Sequence, residues 1–124
     1  MILKQYQNFY EQHHCESLCQ YGLIPLGGTS SYHKESTEKT FSFEFPFQEP
    51  YVFEMKVTPK QEEAVEKATY GNIPIGYEGC GIYWILLLSG NHAGEVWILT
   101  DCGISSVGES FTLEKWYEFL QASK

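Results

Sequence analysis

Cys80, His92 and a nearby carboxylate (Glu78 or Asp101) are the residue types of a cysteine hydrolase, in which a thiolate attacks, a histidine takes the proton and an acid orients the ring. A catalytic thiolate normally lies in an accessible, electropositive place such as a helix N-terminus. Cys80 instead opens an apolar stretch, and the glycines on either side of it favour a β-bulge or a close approach of strands. We therefore expect Cys80 to be structural and the protein not to be an enzyme, with a small cysteine hydrolase using Cys80 as an alternative.

A second group of residues with metal-binding chemistry lies near the N-terminus: His13, His14, Cys15 and Cys19. The two cysteines of this group share one face of a predicted helix. Zinc sites usually take a second ligand pair at a characteristic spacing, and Cys80 and Cys102 do not provide one. No glycine-rich phosphate loop or Ser-His-Asp arrangement is visible either. The sequence therefore predicts no metal site and no cofactor.

The chain is strongly acidic. It contains 16 acidic residues, eight lysines and no arginine, which gives a formal net charge of −8. Binding to nucleic acid or to an anionic membrane depends on lysine and arginine, so the composition argues against both partners. The acidity has two interpretations: it serves solubility alone, or it attracts a basic protein such as a toxic nuclease.

The expected location is the cytoplasm. The first residues contain no apolar segment typical of a signal peptide. The longest apolar stretch, Ile82–Leu88, is too short to cross a bilayer. The four cysteines lack the spacing of a disulfide scaffold and are expected to be reduced thiols. A chain of 124 residues has the size of one domain.

A buried β-hairpin is predicted at the centre of the chain. Ile82–Leu88 is rich in branched and aromatic residues and is flanked by turn residues, which is typical of a strand covered on both faces. Gly90–Gly94 predicts a short connection, and Glu95–Thr100 the returning strand. Trp84 and Trp97 could form an aromatic cage for a ligand, but the apolar residues around them favour a packed core.

Weaker patterns predict the elements around this hairpin. Apolar side chains at helical spacing predict an N-terminal helix from about residue 3 to residue 18, and Leu23–Leu26 predicts a short strand. Alternating phenylalanines in Phe41–Phe47 predict a strand, which the proline within it places at a sheet edge. Thr58–Thr69 begins with the capping residues of a middle helix, and a final helix follows Thr112.

Several short motifs of this chain resemble the signature of one protein superfamily. They are Gly79-Cys80-Gly81-Ile82-Tyr83-Trp84, Ser89-Gly90, Gly94-Glu95-Val96-Trp97, Asp101-Cys102-Gly103-Ile104, Tyr21-Gly22-Leu23-Ile24-Pro25-Leu26, Ser110-Phe111 and Trp116-Tyr117-Glu118-Phe119-Leu120. This arrangement resembles the SUKH superfamily, which contains bacterial immunity proteins of polymorphic toxin systems and the fungal Smi/Knr cell-wall regulators. The resemblance is strongest from Ile75 to Leu120. It departs from the family at Leu3, where the family has proline, and at His13-His14-Cys15, where the family has Asn-Gly-Gly.

The resemblance implies an α+β fold with a twisted, mainly antiparallel sheet flanked by N-terminal, middle and C-terminal helices. It implies a single SUKH-like domain over residues 1–124, with the family's opening helix missing before Met1. The implied function is that of a cytosolic immunity protein that neutralises a polymorphic toxin by direct binding, acting as a monomer or a homodimer. The alternative is a Smi/Knr-like adaptor that docks peptides in cell-wall or stress regulation.

The partner is then expected to be a basic protein toxin, bound through acidic and tyrosine side chains at strand ends. Solvated strand ends without a partner are the simpler interpretation of any one of these residues. The predicted partner-binding residues are Glu54, Tyr77, Glu78, Tyr83, Glu95, Asp101 and Glu109.

Overall fold

The computed structural model describes residues 2–13, 23–24, 44–45, 51–52, 68, 70–79, 81–100, 103–108 and 110–122. These residues form an α+β structure, as the sequence predicts. Its elements in chain order are helix α1 (Ile2–His13), strands β1 (Tyr51–Val52), β2 (Asn72–Gly79), β3 (Ile82–Leu87), β4 (Val96–Thr100) and β5 (Gly103–Ser106), and helix α2 (Leu113–Ala122).

The strands make one five-stranded sheet in the order β1-β5-β4-β3-β2, and every neighbouring pair is antiparallel. Tyr83 of β3 lies opposite Tyr77 of β2 and Leu99 of β4. The register between β2 and β3 shifts twice, between Pro74 and Gly76 and between Tyr77 and Gly79. Such irregularities re-aim side chains, and the second of them lies beside the turn that joins the two strands.

The predicted hairpin connection is confirmed. Gly90 and Gly94 have φ values of +86° and +91°, a backbone conformation that residues other than glycine rarely adopt. The Gly94 amide donates to the Leu87 carbonyl at 2.8 Å, which closes the turn between β3 and β4. The returning strand begins at Val96, because Glu95 instead makes an isolated bridge with Thr112 ahead of α2.

Both helices contribute to one side of the sheet, which we call the helical face. Alternation along β3 sends Trp84 and Leu86 to this side, where Tyr6 of α1 and Trp116 of α2 join them. All are buried, since none is more than 5% exposed. Among the described residues, the buried set of the helical face is Tyr6, Ile73, Ile75, Trp84, Leu86, Val96, Trp116 and Leu120.

The second side of the sheet, the opposite face, is buried as well. Ile85 and Leu87 alternate with the helical-face residues of β3, and Trp97 lies opposite Ile85 on β4. The ring of Phe45 meets the ring of Trp97 edge-on at 5.5 Å. In the part of the chain that the structure describes, the buried set of the opposite face is Phe45, Ala68, Ile85, Leu87, Trp97, Leu99 and Ile104.

Tyr6 attaches α1 to the sheet through its hydroxyl. The hydroxyl donates to the carbonyls of Ile24 and Ile75, the latter at 3.3 Å. The Ile24 amide also donates to the Ile75 carbonyl at 2.9 Å, and Leu23 makes an isolated bridge with Gly76. The two described residues of the predicted short strand, Leu23 and Ile24, therefore lie beside β2. Burial, followed by the nearby Tyr10, raises the pKa of the Tyr6 phenol well above its ordinary value.

The other predicted helices and strands lie only partly within the described residues. The predicted N-terminal helix begins at Ile2 and is described to His13, and its last turns lie outside the described residues. The predicted middle helix also lies outside them except for Ala68, a turn residue. In the predicted edge strand, Glu44 and Phe45 are described and neither belongs to a strand. Instead, the Phe45 amide donates to the Ser89 hydroxyl at 2.9 Å.

Candidate functional site

Three of the predicted partner-binding residues meet at the turn between β2 and β3, which we call the hairpin end. Tyr77 and Tyr83 are cross-strand partners, and their ring centroids lie 4.7 Å apart. Tyr83 is 8% exposed and supports the inner side of the pair, whereas Tyr77 is 41% exposed. Glu78 follows Tyr77 and is exposed. The hairpin end therefore presents an aromatic ring on a buried support on one face of the sheet and a carboxylate, bonded to Trp84, on the helical face.

Glu78 is held in place by the core. Its Oε1 accepts a hydrogen bond of 2.7 Å from the indole nitrogen Nε1 of Trp84. Trp84 is only 5% exposed, so this bond satisfies a donor that would otherwise be costly to bury. A carboxylate acceptor makes the bond stronger than a neutral one. The side chain of Glu78 thus has a fixed position before any partner arrives.

Glu95 lies at the other end of β3, beside the turn between β3 and β4. Its Oε1 accepts a 3.1 Å hydrogen bond from Nε1 of Trp97, and its Oε2 lies 3.0 Å from Nδ1 of His92. The side chain is 15% exposed. The structure therefore does not bring Glu95 to Tyr77 and Glu78, because the antiparallel hairpin places them at opposite ends. Its carboxylate serves the internal packing of Trp97.

The other predicted partner-binding residues, Glu54, Asp101 and Glu109, lie outside the described residues. So does Cys80, and His92, the base of the alternative hydrolase, is engaged by Glu95. Of the predicted N-terminal metal-ligand group, only the backbone of His13 is described. Within the described ranges, no three histidine, cysteine or acidic side chains are grouped as they would be around a metal ion.

The prediction that Trp84 and Trp97 belong to the core is confirmed, since they are 5% and 1% exposed. Each of these strand tryptophans gives its indole N–H to a glutamate, Glu78 in one case and Glu95 in the other. Trp116 of α2 differs. Among the buried side-chain nitrogen and oxygen atoms that the structure describes, only Nε1 of Trp116 has no hydrogen-bond partner.

Sequence reasoning missed a groove between α1, α2 and the turn between β3 and β4, which we call the helix groove. Its cavity volume is about 910 Å³, within the size range of ligand-binding pockets. Exposed polar side chains form its rim, and the half-buried rings of Phe9 and Tyr117 form its floor. Its lining residues are Gln5, Asn8, Phe9, Gln12, Ala93, Gly94, Thr112, Leu113, Glu114, Tyr117 and Glu118.

The floor of the helix groove is continuous with the core of the helical face. The ring of Phe9 meets that of Tyr117 edge-on at 6.1 Å and lies 5.8 Å from that of Trp116. The spacing of Gln5, Asn8 and Gln12 was a usable signal, since it places three amides on one face of a helix. The groove itself was not predictable, because it exists only where two distant helices meet the same turn.

Comparison of the chain with family models, curated proteins and solved structures gives no significant match. Neither helix in the described part of the chain has the length and apolar character needed to span a membrane.

Proposed function

We propose that this chain is a SUKH-like immunity protein that neutralises a basic protein toxin by direct binding. The observation that carries the proposal is the hairpin end, where Tyr77 is exposed on the buried support of Tyr83 and Glu78 follows it with its side chain on the helical face. Tyrosine is among the residues most enriched at the energetic centres of protein interfaces. In the fuller SUKH-like arrangement, Thr58–Thr69 forms the middle helix and the domain extends over residues 1–124.

The hairpin end suits tight association because it is already ordered. The ring of Tyr83 holds one side of Tyr77, and the indole of Trp84 holds the carboxylate of Glu78. Groups that are fixed before binding lose less conformational entropy when a partner docks. The protein then acts by covering the toxin, without turnover and without a cofactor.

The net charge of −8 supports a basic partner. A negative surface speeds the encounter with a positive one, and it repels nucleic acid and anionic membranes. A nuclease toxin has a basic surface for its own substrate, so an acidic inhibitor competes with that substrate directly. The proposed place of action is the cytoplasm.

The helix groove favours a second candidate function, a Smi/Knr-like adaptor that docks peptides. The groove is open to solvent along two helices and has an aromatic floor, as a peptide-binding surface requires. The two candidates differ in consequence, because an adaptor does not protect a cell from a toxin.

Coexpression with the product of the neighbouring gene tests the proposed function. If that product is a toxin, the wild-type chain should restore growth, and Tyr77→Ala should weaken the complex by about 30-fold or more, as expected for an interface hot spot. Glu78→Gln retains the acceptor for Trp84 and removes the charge, so it should mainly slow association at low salt.

Val107→Ala is the matched control, because Val107 is 39% exposed and lies beyond β5, away from the hairpin end. It should protect cells as the wild type does. A neighbouring gene that encodes no toxic domain, or a toxin that kills equally with and without the chain, would contradict the proposal.

A further inference from the structure

We infer that the helix groove binds an extended segment of the partner that carries lysine or arginine side chains. The inference rests on the proposed function, because it assigns the groove to the same protein partner. It adds a second contact surface, at the end of the sheet opposite Tyr77.

The charged lining of the helix groove is wholly acidic among the described residues. Glu114 and Glu118 lie one turn apart on α2, and both are exposed. Neither makes a side-chain hydrogen bond or an ion pair with any residue that the structure describes. Like charges at this spacing repel each other, so a cation between them is favoured. Lys115 lies between them in sequence but does not line the groove.

A row of amides faces these carboxylates from α1. Gln5, Asn8 and Gln12 lie along one helix face over about 10 Å, given a rise of 1.5 Å per residue. None of the three has a hydrogen-bond partner in the described part of the chain. Gln7 shows the contrast, because its amide donates to Glu11 at 2.9 Å on another face of α1. Free amides both donate and accept, which matches the alternating groups of an extended peptide backbone.

The floor and one end of the groove complete the fit. Tyr117 is half-buried with its ring edge-on to Phe9, so an apolar surface lies between the amides and the carboxylates. A lysine or arginine side chain can lay its methylene stem on such a surface and keep its charge at the acidic rim. At the turn, a Cβ placed on Gly94 would meet nothing within 4 Å, so this end is open for a chain to continue.

The test uses a synthetic peptide of about eight residues in which lysine alternates with threonine, because β-branched residues favour extended backbone. In a strand, alternation places every lysine on one side, toward the carboxylates. Titration into the ¹⁵N-labelled protein at about 0.15 M salt limits long-range attraction. The side-chain amide signals of Gln5, Asn8 and Gln12 should shift together and give the dissociation constant. A peptide with glutamate in place of lysine should not bind.

The double variant Glu114→Gln/Glu118→Gln should raise the dissociation constant about fivefold, as expected for two exposed ion pairs. The control Glu11→Gln/Glu44→Gln removes the same charge from exposed residues outside the groove and should leave the constant within about twofold. Amide signals that do not move, or equal weakening by both double variants, would overturn the inference.

Measurements of peptide binding, toxin binding and protection on the same variants distinguish a failure of this inference from a failure of the proposed function. If the Glu114→Gln/Glu118→Gln protein binds the peptide weakly but its complex with the toxin is unchanged, the partner docks elsewhere and the groove inference fails. If no neighbouring toxin is neutralised while the peptide still binds in the groove, the proposed function fails and the groove remains a peptide site.

Discussion

The two faces of the sheet are buried by different means. On the helical face, aromatic rings of α1 and α2 share one cluster with Trp84 of β3. Trp84 and Trp116 both lie against Gly76. On the opposite face, most of the buried residues that the structure describes come from β3, β4 and β5, and Phe45 and Ala68 join them. Among the described residues, the contacts of the helical face join elements that are distant in the chain, and those of the opposite face join mainly neighbouring strands. Substitutions should therefore act through different physical causes on the two faces.

A second difference separates the tryptophans of the strands from the tryptophan of α2. Trp84 and Trp97 each donate to a glutamate whose position the strands determine. Trp116 arrives on a helix, is 0% exposed, and leaves its indole nitrogen unpaired. An unpaired buried donor costs about 1–3 kcal/mol, so the helical face accepts a polar cost in return for the area that this ring buries.

Removing the Trp116 side chain should give the largest effect. Trp116→Ala leaves a cavity against Trp84, Phe9 and Gly76, and we expect a loss of about 3–5 kcal/mol in the free energy of unfolding. Urea denaturation followed by circular dichroism measures it. Trp116→Phe retains much of the ring and removes the unpaired donor, so it should cost clearly less. An equal loss for the two variants would show that ring packing is not what holds α2.

Gly76→Ala should give the next largest effect. The new Cβ would lie 2.9 Å from Cζ2 of Trp116 and 3.2 Å from Cδ1 of Trp84, so one ring must move. Overpacking of this kind costs about 1–3 kcal/mol. Combination with Trp116→Phe should be less than additive, because the clashing carbon is then gone.

Gly94→Ala is the control for Gly76→Ala, because its Cβ meets no atom within 4 Å and only its positive φ is strained. It should show no coupling to Trp116→Phe. Coupling of equal size at both glycines would contradict a local clash on the helical face.

Tyr6→Phe tests the polar attachment of α1 and should cost about 1 kcal/mol near neutral pH, the usual contribution of a hydrogen bond. The pKa of Tyr6 is raised in the folded state, so its contribution is complete below the unfolded-state value near 10 and is lost as the pH rises above it. Wild type should therefore lose more stability between about pH 9 and pH 11 than the phenylalanine variant. Parallel pH profiles would contradict this assignment.

Glu78→Gln should give the smallest effect on stability, within about 0.5 kcal/mol, because the amide oxygen can still accept from Trp84. An effect this small means that the charge of Glu78 contributes little to folding and can serve a partner instead. Thermal unfolding measures the change, and Glu78→Ala is the comparison because it removes the acceptor. If Gln were as destabilising as Ala, the charge itself would be part of the fold.

The hairpin was largely predictable from the sequence, because strand alternation is a local property and places its apolar side chains on both faces. Trp84 and Trp97 were assigned to the core on that ground. The Glu95–Trp97 bond also had a signal, since residues two apart in a strand lie on the same side. Glu78 reaches Trp84 only across the β2–β3 hairpin and its register shifts, which no local pattern specifies.

The candidate site was predicted only in part for the same reason. Tyr77, Glu78 and Tyr83 flank one turn and come together, as nearness in sequence suggests. Glu95 was grouped with them although the hairpin places it at the far end of β3. The helix groove had no signal beyond one row of amides, because its walls lie more than a hundred residues apart in the chain.

The borders of the sheet have a consequence for handling the protein. β1 is described over Tyr51–Val52, and Leu23–Ile24 occupies part of the outer side of β2. β3, whose apolar sequence would readily stack with copies of itself, has a neighbouring strand on each side. Concentrated solutions should therefore stay clear while the fold is intact. Heating past the transition should release β3 and give a precipitate that does not redissolve on cooling.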